Sequence, residues 1–191
     1  MTPSASPIDL TTLANAKAWV NVASPNDDAI IQRLVTAQSQ GVLNYLNRPI
    51  AQTTYTETYD GNGLDLLMLG NYPISSITSL SIDGQAITAR PALGQSGYTF
   101  DSDTIYLDGY TFNRGRANIV VTYVAGYAVV PFDLEQAVIE LVALRYKERD
   151  HIGHVSKAIQ GETVAYIQKD MPDDVRTVLD NYRRVVASAA R

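Results

Sequence analysis

The chain has 191 residues, 46% apolar and 18% charged, the proportions of an ordinary folded protein rather than a disordered or membrane-embedded one. Cysteine is absent, which excludes disulfides, thiolate metal sites and a cysteine nucleophile together. The net charge of −5 argues against a general nucleic-acid binder, because phosphate affinity depends on clustered Lys and Arg that release counterions.

The length fits one domain, residues 1–191, carrying an elaborated insertion. The longest apolar stretches, such as residues 137–144, are far shorter than the roughly 18 residues of a membrane span. The opening MTPSASPIDL has neither the basic start nor the apolar run of a secretory signal, so the expected place of synthesis and assembly is the cytoplasm.

Residues 1–8 read as a flexible leader with Pro3 and Pro7. A helix is expected over residues 9–22, anchored by Trp19. Ser24-Pro25-Asn26-Asp27 opens a second helix, whose Ile31, Leu34, Val35, Val42, Tyr45 and Leu46 lie at helical spacing until Asn47-Arg48-Pro49 ends it. From Thr53 the period becomes two. Tyr55, Glu57 and Tyr59 alternate with threonines, and Asp60-Gly61-Asn62-Gly63 predicts a hairpin to residues 64–69. Asp83-Gly84 predicts a second hairpin between residues 74–82 and 85–89, because that dipeptide suits a tight primed turn. Further short strands are expected at residues 98–100, 105–107 and 119–124, and the two arginines of DGYTFNRGRAN are expected on a hairpin loop.

Pro131 leads into a helix in which only Glu140 is charged between Ala137 and Leu144. A helix apolar on so many sides must be covered from more than one direction, and a second subunit is an obvious cover. The helix ends in Arg145-Tyr146-Lys147-Glu148-Arg149-Asp150. Residues 151–162 then read as a polar loop with scattered Ile152, Val155 and Ile159, residues 163–167 as one more short strand, and a last helix opens at Pro172 with the stripe Val175, Val178, Leu179, Tyr182, Val185 and Val186. Loops of about 12 residues without periodicity are usually functional or disordered, and evenly scattered aliphatics favour binding in trans. The fold class is therefore α+β. A helical part from residues 9–50 and 131–191 carries an inserted small antiparallel β-sandwich or partial barrel over residues 51–130.

Little here advertises chemistry. His151 and His154 beside Asp150 could approach one metal ion, but Gly153 breaks the helix that would align them, and a solvated loop explains them better. No nucleophile elbow and no phosphate loop occurs. Asp27/Asp28 and Asp173/Asp174 sit at helix starts, where carboxylates favour the dipole, and Asp101/Asp103 flank a strand turn. Twelve tyrosines against three phenylalanines suit either strands or protein–protein contact. Tyr55, Tyr59, Tyr98 and Tyr106 fit both accounts, whereas Tyr45, Tyr146 and Tyr182 are expected in the core. Residues 51–130 hold seven acidic and three basic side chains, an acidic surface; residues 131–191 hold ten and nine.

Taken in order, AKAWVNVASPNDDAIIQRLVTAQSQGVLNYLNRPI, TETYDGNGLDLLMLGNYPISSITSLSIDG, NIVVTYVAGYAVVPFDLEQA and DLEQAVIELVALRYKERD followed by GETVAY resemble the head–tail connector (head-completion adaptor) proteins of long-tailed bacteriophages. The resemblance runs from about Leu10 to Val186. It implies a structural virion protein without catalysis, metal or cofactor, located in the neck. Its partners would be copies of itself in a ring, twelvefold to match the portal; the portal protein; and the next neck or tail-completion protein. DNA would pass through without specific binding. Interface candidates are Leu141, Leu144, Arg149, His151, Ile152, Val155, Lys157, Ile159, Val164, Tyr166, Arg183 and Arg184, with residues 151–167 becoming ordered on assembly. The alternatives are a neck or tail-completion protein one layer further down, and, in another class, a β-sandwich binding module or an uncharacterised enzyme.

Overall fold

The structure, a computed structural model, describes residues 4–149, 156–159, 162–165 and 171–184, the two short stretches 156–159 and 162–165 by their backbone alone. The chain divides into two compact units, one from Met1–Arg48 with Val130–Arg191 and the other from Pro49–Val129.

In the first unit, α1 spans Leu13–Val20 and is started by Thr12, whose Oγ1 accepts the Asn15 backbone N–H at 3.2 Å. It ends where Asn21 turns left-handed at φ 57. This helix is shorter than its sequence suggested. Trp19 is 54% exposed and is not its anchor; Ala16 and the preceding Leu10 are buried instead. A single 3-10 turn, Pro25–Asp27, capped by Ser24, leads into α2, Asp28–Leu46. Ile31, Val35, Val42 and Leu46 form its buried stripe, and Asn47 closes it in the left-handed region.

The helix α3 spans Phe132–Glu148, with Leu134, Ala137, Val138, Ile139, Leu141, Val142 and Ala143 all buried. Its wide apolar surface has a simple cause. It packs against α1, α2 and α4, Asp173–Asp180, so three helices of its own chain supply the cover expected of a second subunit. Burying each of its Leu, Val and Ile side chains contributes about 1.5–3 kcal/mol, which makes α3 the centre of the unit's core. The last helix is short: Val175 and Leu179 are buried, Tyr182 follows its end, and Val185 and Val186 lie outside the described residues.

Residues 156–159 were expected in a loop, yet Ser156–Ile159 (β8) pairs antiparallel with Glu162–Ala165 (β9), Lys157 opposite Val164 and Ile159 opposite Glu162. Lys157 and Ala158 are weak strand formers by composition alone, so pairing with the Thr163-Val164 strand is what gives this segment extended structure.

In the second unit two antiparallel sheets form a sandwich-like core. The larger has the order β1 (Thr53–Gly61), β7 (Gly115–Ala125), β3 (Ile74–Ile82), β4 (Gln85–Ile87); the smaller has the order β2 (Leu66–Met68), β6 (Thr104–Asp108), β5 (Gly97–Phe100). Leu80, Ile119, Val121 and Tyr123 of the first meet Leu67, Ile105 and Leu107 of the second. The β3–β4 hairpin turns at Asp83 and Gly84, φ 52 and 80, as the Asp-Gly pair requires. The other expected hairpin does not exist. The strand β1, which includes Asp60 and Gly61, pairs with β7, and β2 pairs with β6 in the opposite sheet, so the chain crosses between sheets over residues 62–65. For the same reason the Arg114 loop joins β6 to β7 across the sandwich, and Arg116 already belongs to β7.

Candidate functional site

Two of the interface candidates are held by the same small device. The Tyr146 hydroxyl donates to Asp27 Oδ2, the Arg149 guanidinium lies 4.2 Å from the Tyr146 ring centre, and Arg149 stands 3.8 Å from Asp27 Oδ1. Likewise the Tyr45 hydroxyl donates to Asp180 and Arg183 lies 5.0 Å from its ring. Each cluster joins two helices. The aspartate hydrogen bond pushes both phenol pKa values up, so these hydroxyls stay protonated donors. Tyr182 completes the set by donating to Asp133 at the start of α3. All three tyrosines are half-buried, and they staple helix ends rather than fill the core.

Of the remaining candidates, Leu141 is buried, Leu144 is half-buried, and Arg184 is tied by its backbone N–H to the Leu46 carbonyl at 2.9 Å. Lys157, Ile159 and Val164 share the β8–β9 hairpin. His151, Ile152, Val155 and Tyr166 lie outside the described residues, as does most of the segment expected to order on assembly.

In the β unit, Glu57 accepts from the hydroxyls of Tyr59 and Tyr123 and from Asn71 Nδ2, while the Gly70 and Asn71 backbone N–H groups donate back to those tyrosine oxygens. Burial, followed by the Glu57 contact, raises both tyrosine pKa values. The network pins the 70–71 segment to the sandwich. Protonated phenols on a carboxylate are poor nucleophiles and poor bases, so stapling accounts for them. Tyr55 and Tyr59 pack against the core and Tyr98 lies within it. Tyr106 is 41% exposed.

Tyr106 belongs to a surface that the sequence reading did not single out. It pairs with Leu66, and on the strand β2 Leu66 and Met68 both face outward while Leu67 faces the core. Exposure is 38% at Leu66, 64% at Met68 and 53% at the neighbouring Leu64. The signal was present in LDLLML: with a period of two, five apolar residues in six must leave one apolar face outside.

Two of the open clefts carry carboxylates, the first over a mainly apolar floor. One, about 260 Å³ between α3 and α4, has Ala137, Val175 and Val178 beneath Asp133, Glu140 and Asp174. The other, about 320 Å³, is lined by Asp83, Gln85, Tyr110, Thr111 and Asn113, and two asparagine amides donating to Asp83 hold its carboxyl below the usual range. Among the described residues no group of three or more His, Cys, Asp or Glu is placed to hold a metal, and no helix is long and apolar enough to cross a membrane.

Helix ends stapled by tyrosines, a sandwich core and an outward apolar strand suit a structural protein. The chain belongs to the head completion protein family, whose pattern it matches over residues 9–185, and its role is that of a head–tail connector or neck protein. Membership points to a non-enzymatic role. Among solved structures the fold resembles a chain from the neck of an empty gene transfer agent (GTA) particle computed with C6 symmetry, at 17% identity and TM-score 0.57, with 100% of this chain and 98% of that one covered. A chain from the neck of a native GTA particle computed with C12 symmetry gives 18% and 0.57, with 100% and 98% covered. A chain from the virion of a native GTA particle gives 16% and 0.56, with 100% and 97% covered. No curated protein matches the chain.

Proposed function

We propose that the chain forms a ring at the neck of a phage or phage-like particle, docks beneath the portal vertex of the filled head, extends the DNA channel and joins head to tail. The observation that carries this is the family match over nearly the whole chain. Cyclic C6 and C12 necks of similar fold support a ring, with twelve subunits the natural number under a twelvefold portal. Assembly in the host cytoplasm, after synthesis there, follows from the same role. No chemical step is required. A subunit that associates weakly with its own kind becomes a ring when a symmetrical partner presents many sites at once and avidity multiplies weak contacts. The acidic surface of the β unit suits a wall past which DNA slides, since like charge limits sticking.

Co-purification decides the matter. Tagged protein should capture portal-bearing capsids that lack the neck, and purified protein should show concentration-dependent large species in sedimentation. Failure to bind such capsids, with binding instead to particles already carrying a connector, would move the chain one layer further down the neck.

A further inference from the structure

The free edge of β2 is open in a specific way. Leu69 N–H donates to Asp103 and Leu107 N–H to Asp65, so the odd-numbered positions face β6, and the backbone groups of Leu66 and Met68 face away from it. Among the described residues, the only partner on that side of β2 itself is Asn62 Nδ2, a long 3.4 Å from the Leu66 carbonyl. The same residues expose Leu66 and Met68 side chains, with Tyr106 beside them. Unpaired main-chain donors and acceptors next to an apolar outer face are the two features that receive an added strand: the ladder supplies affinity and the alternate side chains supply fit.

The same chain offers the strand. The hairpin β8–β9 forms a sheet of two strands that pairs with no third among the described residues. A two-stranded ribbon on its own is marginal in water, and a third strand is what makes such a unit stable. Open edge and under-stranded ribbon are complementary needs within one sequence.

We infer that the β2 edge receives the β8–β9 hairpin of a second copy of this chain, the two sheets becoming continuous across the subunit boundary. This rests on the ring assembly proposed above and names its contact. Donor and acceptor lie on different elements, so the contact is head-to-tail and repeats from copy to copy until the ring closes. β2 is only three residues long, so each joint is weak alone. Strength comes from closure.

The absence of native cysteine makes the test direct. Met68→Cys with Val164→Cys, oxidised at high protein concentration, should give a ladder of covalent species extending beyond dimers on a non-reducing gel. The single Met68→Cys variant should give none, and adding Leu66→Lys should abolish the ladder while leaving the circular dichroism spectrum and the unfolding midpoint unchanged. A disulfide-closed monomer, or no covalent product, overturns the pairing. So does a dimer from Met68→Cys alone, which would mean two β2 edges meeting about a twofold axis. The ring itself is judged separately by capsid binding, so a chain that binds capsids without a ladder keeps the ring and loses this joint.

Discussion

The Tyr182 hydroxyl donates to both carboxylate oxygens of Asp133, at 2.7 and 2.8 Å, and so ties the segment after α4 to the first turn of α3. The carboxylate also lies where the positive end of α3 favours it. Replacing Tyr182 with Phe keeps the ring and removes the hydrogen bond. The expected cost is about 0.5–1.5 kcal/mol, at the low end because Asp133 is exposed, read as a lower urea midpoint with unchanged slope.

Leu141 is covered by its own chain, so its loss should be felt by the isolated subunit. Leu141→Ala is expected to cost about 2–5 kcal/mol in the unassembled protein. Leu141→Asp should leave little soluble folded material, since it buries a charge without a partner. Normal stability of the monomeric Ala variant, with a defect only in assembly, would place this position at a subunit interface instead.

Tyr59 and Tyr123 are pushed above the ordinary tyrosine value of 10.0, first by burial and then by Glu57. A raised folded pKa means that the protonated hydroxyls contribute stability that is fully present below about pH 10 and is lost as pH rises through the folded pKa values. In an alkaline titration followed by tyrosinate absorbance, two late-ionising tyrosines are expected. They should disappear in Tyr59→Phe/Tyr123→Phe, which should also lose its alkaline stability decline. Unchanged titration would mean that the network opens in solution.

With seven acidic against three basic side chains over residues 51–130, the β unit should not hold DNA. Purified protein is expected to retain no duplex DNA on a filter at physiological salt. Retention would contradict a wall that lets DNA slide past.

Local signals in the sequence were legible where one segment decided its own structure. Asp83-Gly84 demanded a primed turn, and the spacing of Ile31, Val35 and Val42 demanded a buried stripe. Asp27/Asp28 and Asp173/Asp174 took helix starts as dipoles require. Long-range pairing was not legible. The first strand and the LLM strand are neighbours in sequence joined by a glycine-rich turn, yet strand alternation is silent about which sheet a strand joins, and they part to opposite sheets. Trp19 misled because size suggests burial, while the helix turns Ala16 inward and leaves the indole outside. The assembly edge was hidden for a similar reason, since an outward apolar row is distinguishable from a core row only once the partner strand is known.

The β unit leaves the chain through adjacent doors. Thr53 pairs with Ala125, Gln52 N–H donates to the Tyr127 carbonyl at 3.0 Å, and Tyr127 N–H donates to the Ile50 carbonyl at 2.8 Å, so the strand that enters and the strand that departs are zipped together at the threshold. A module fastened in this way behaves as a graft: cut at the zip, the gap spans only a few residues, and a short linker could close it with modest loop entropy. The helical unit and the β unit can accordingly diverge at separate rates, the first under its own packing rules and the graft under those of whatever surface it meets.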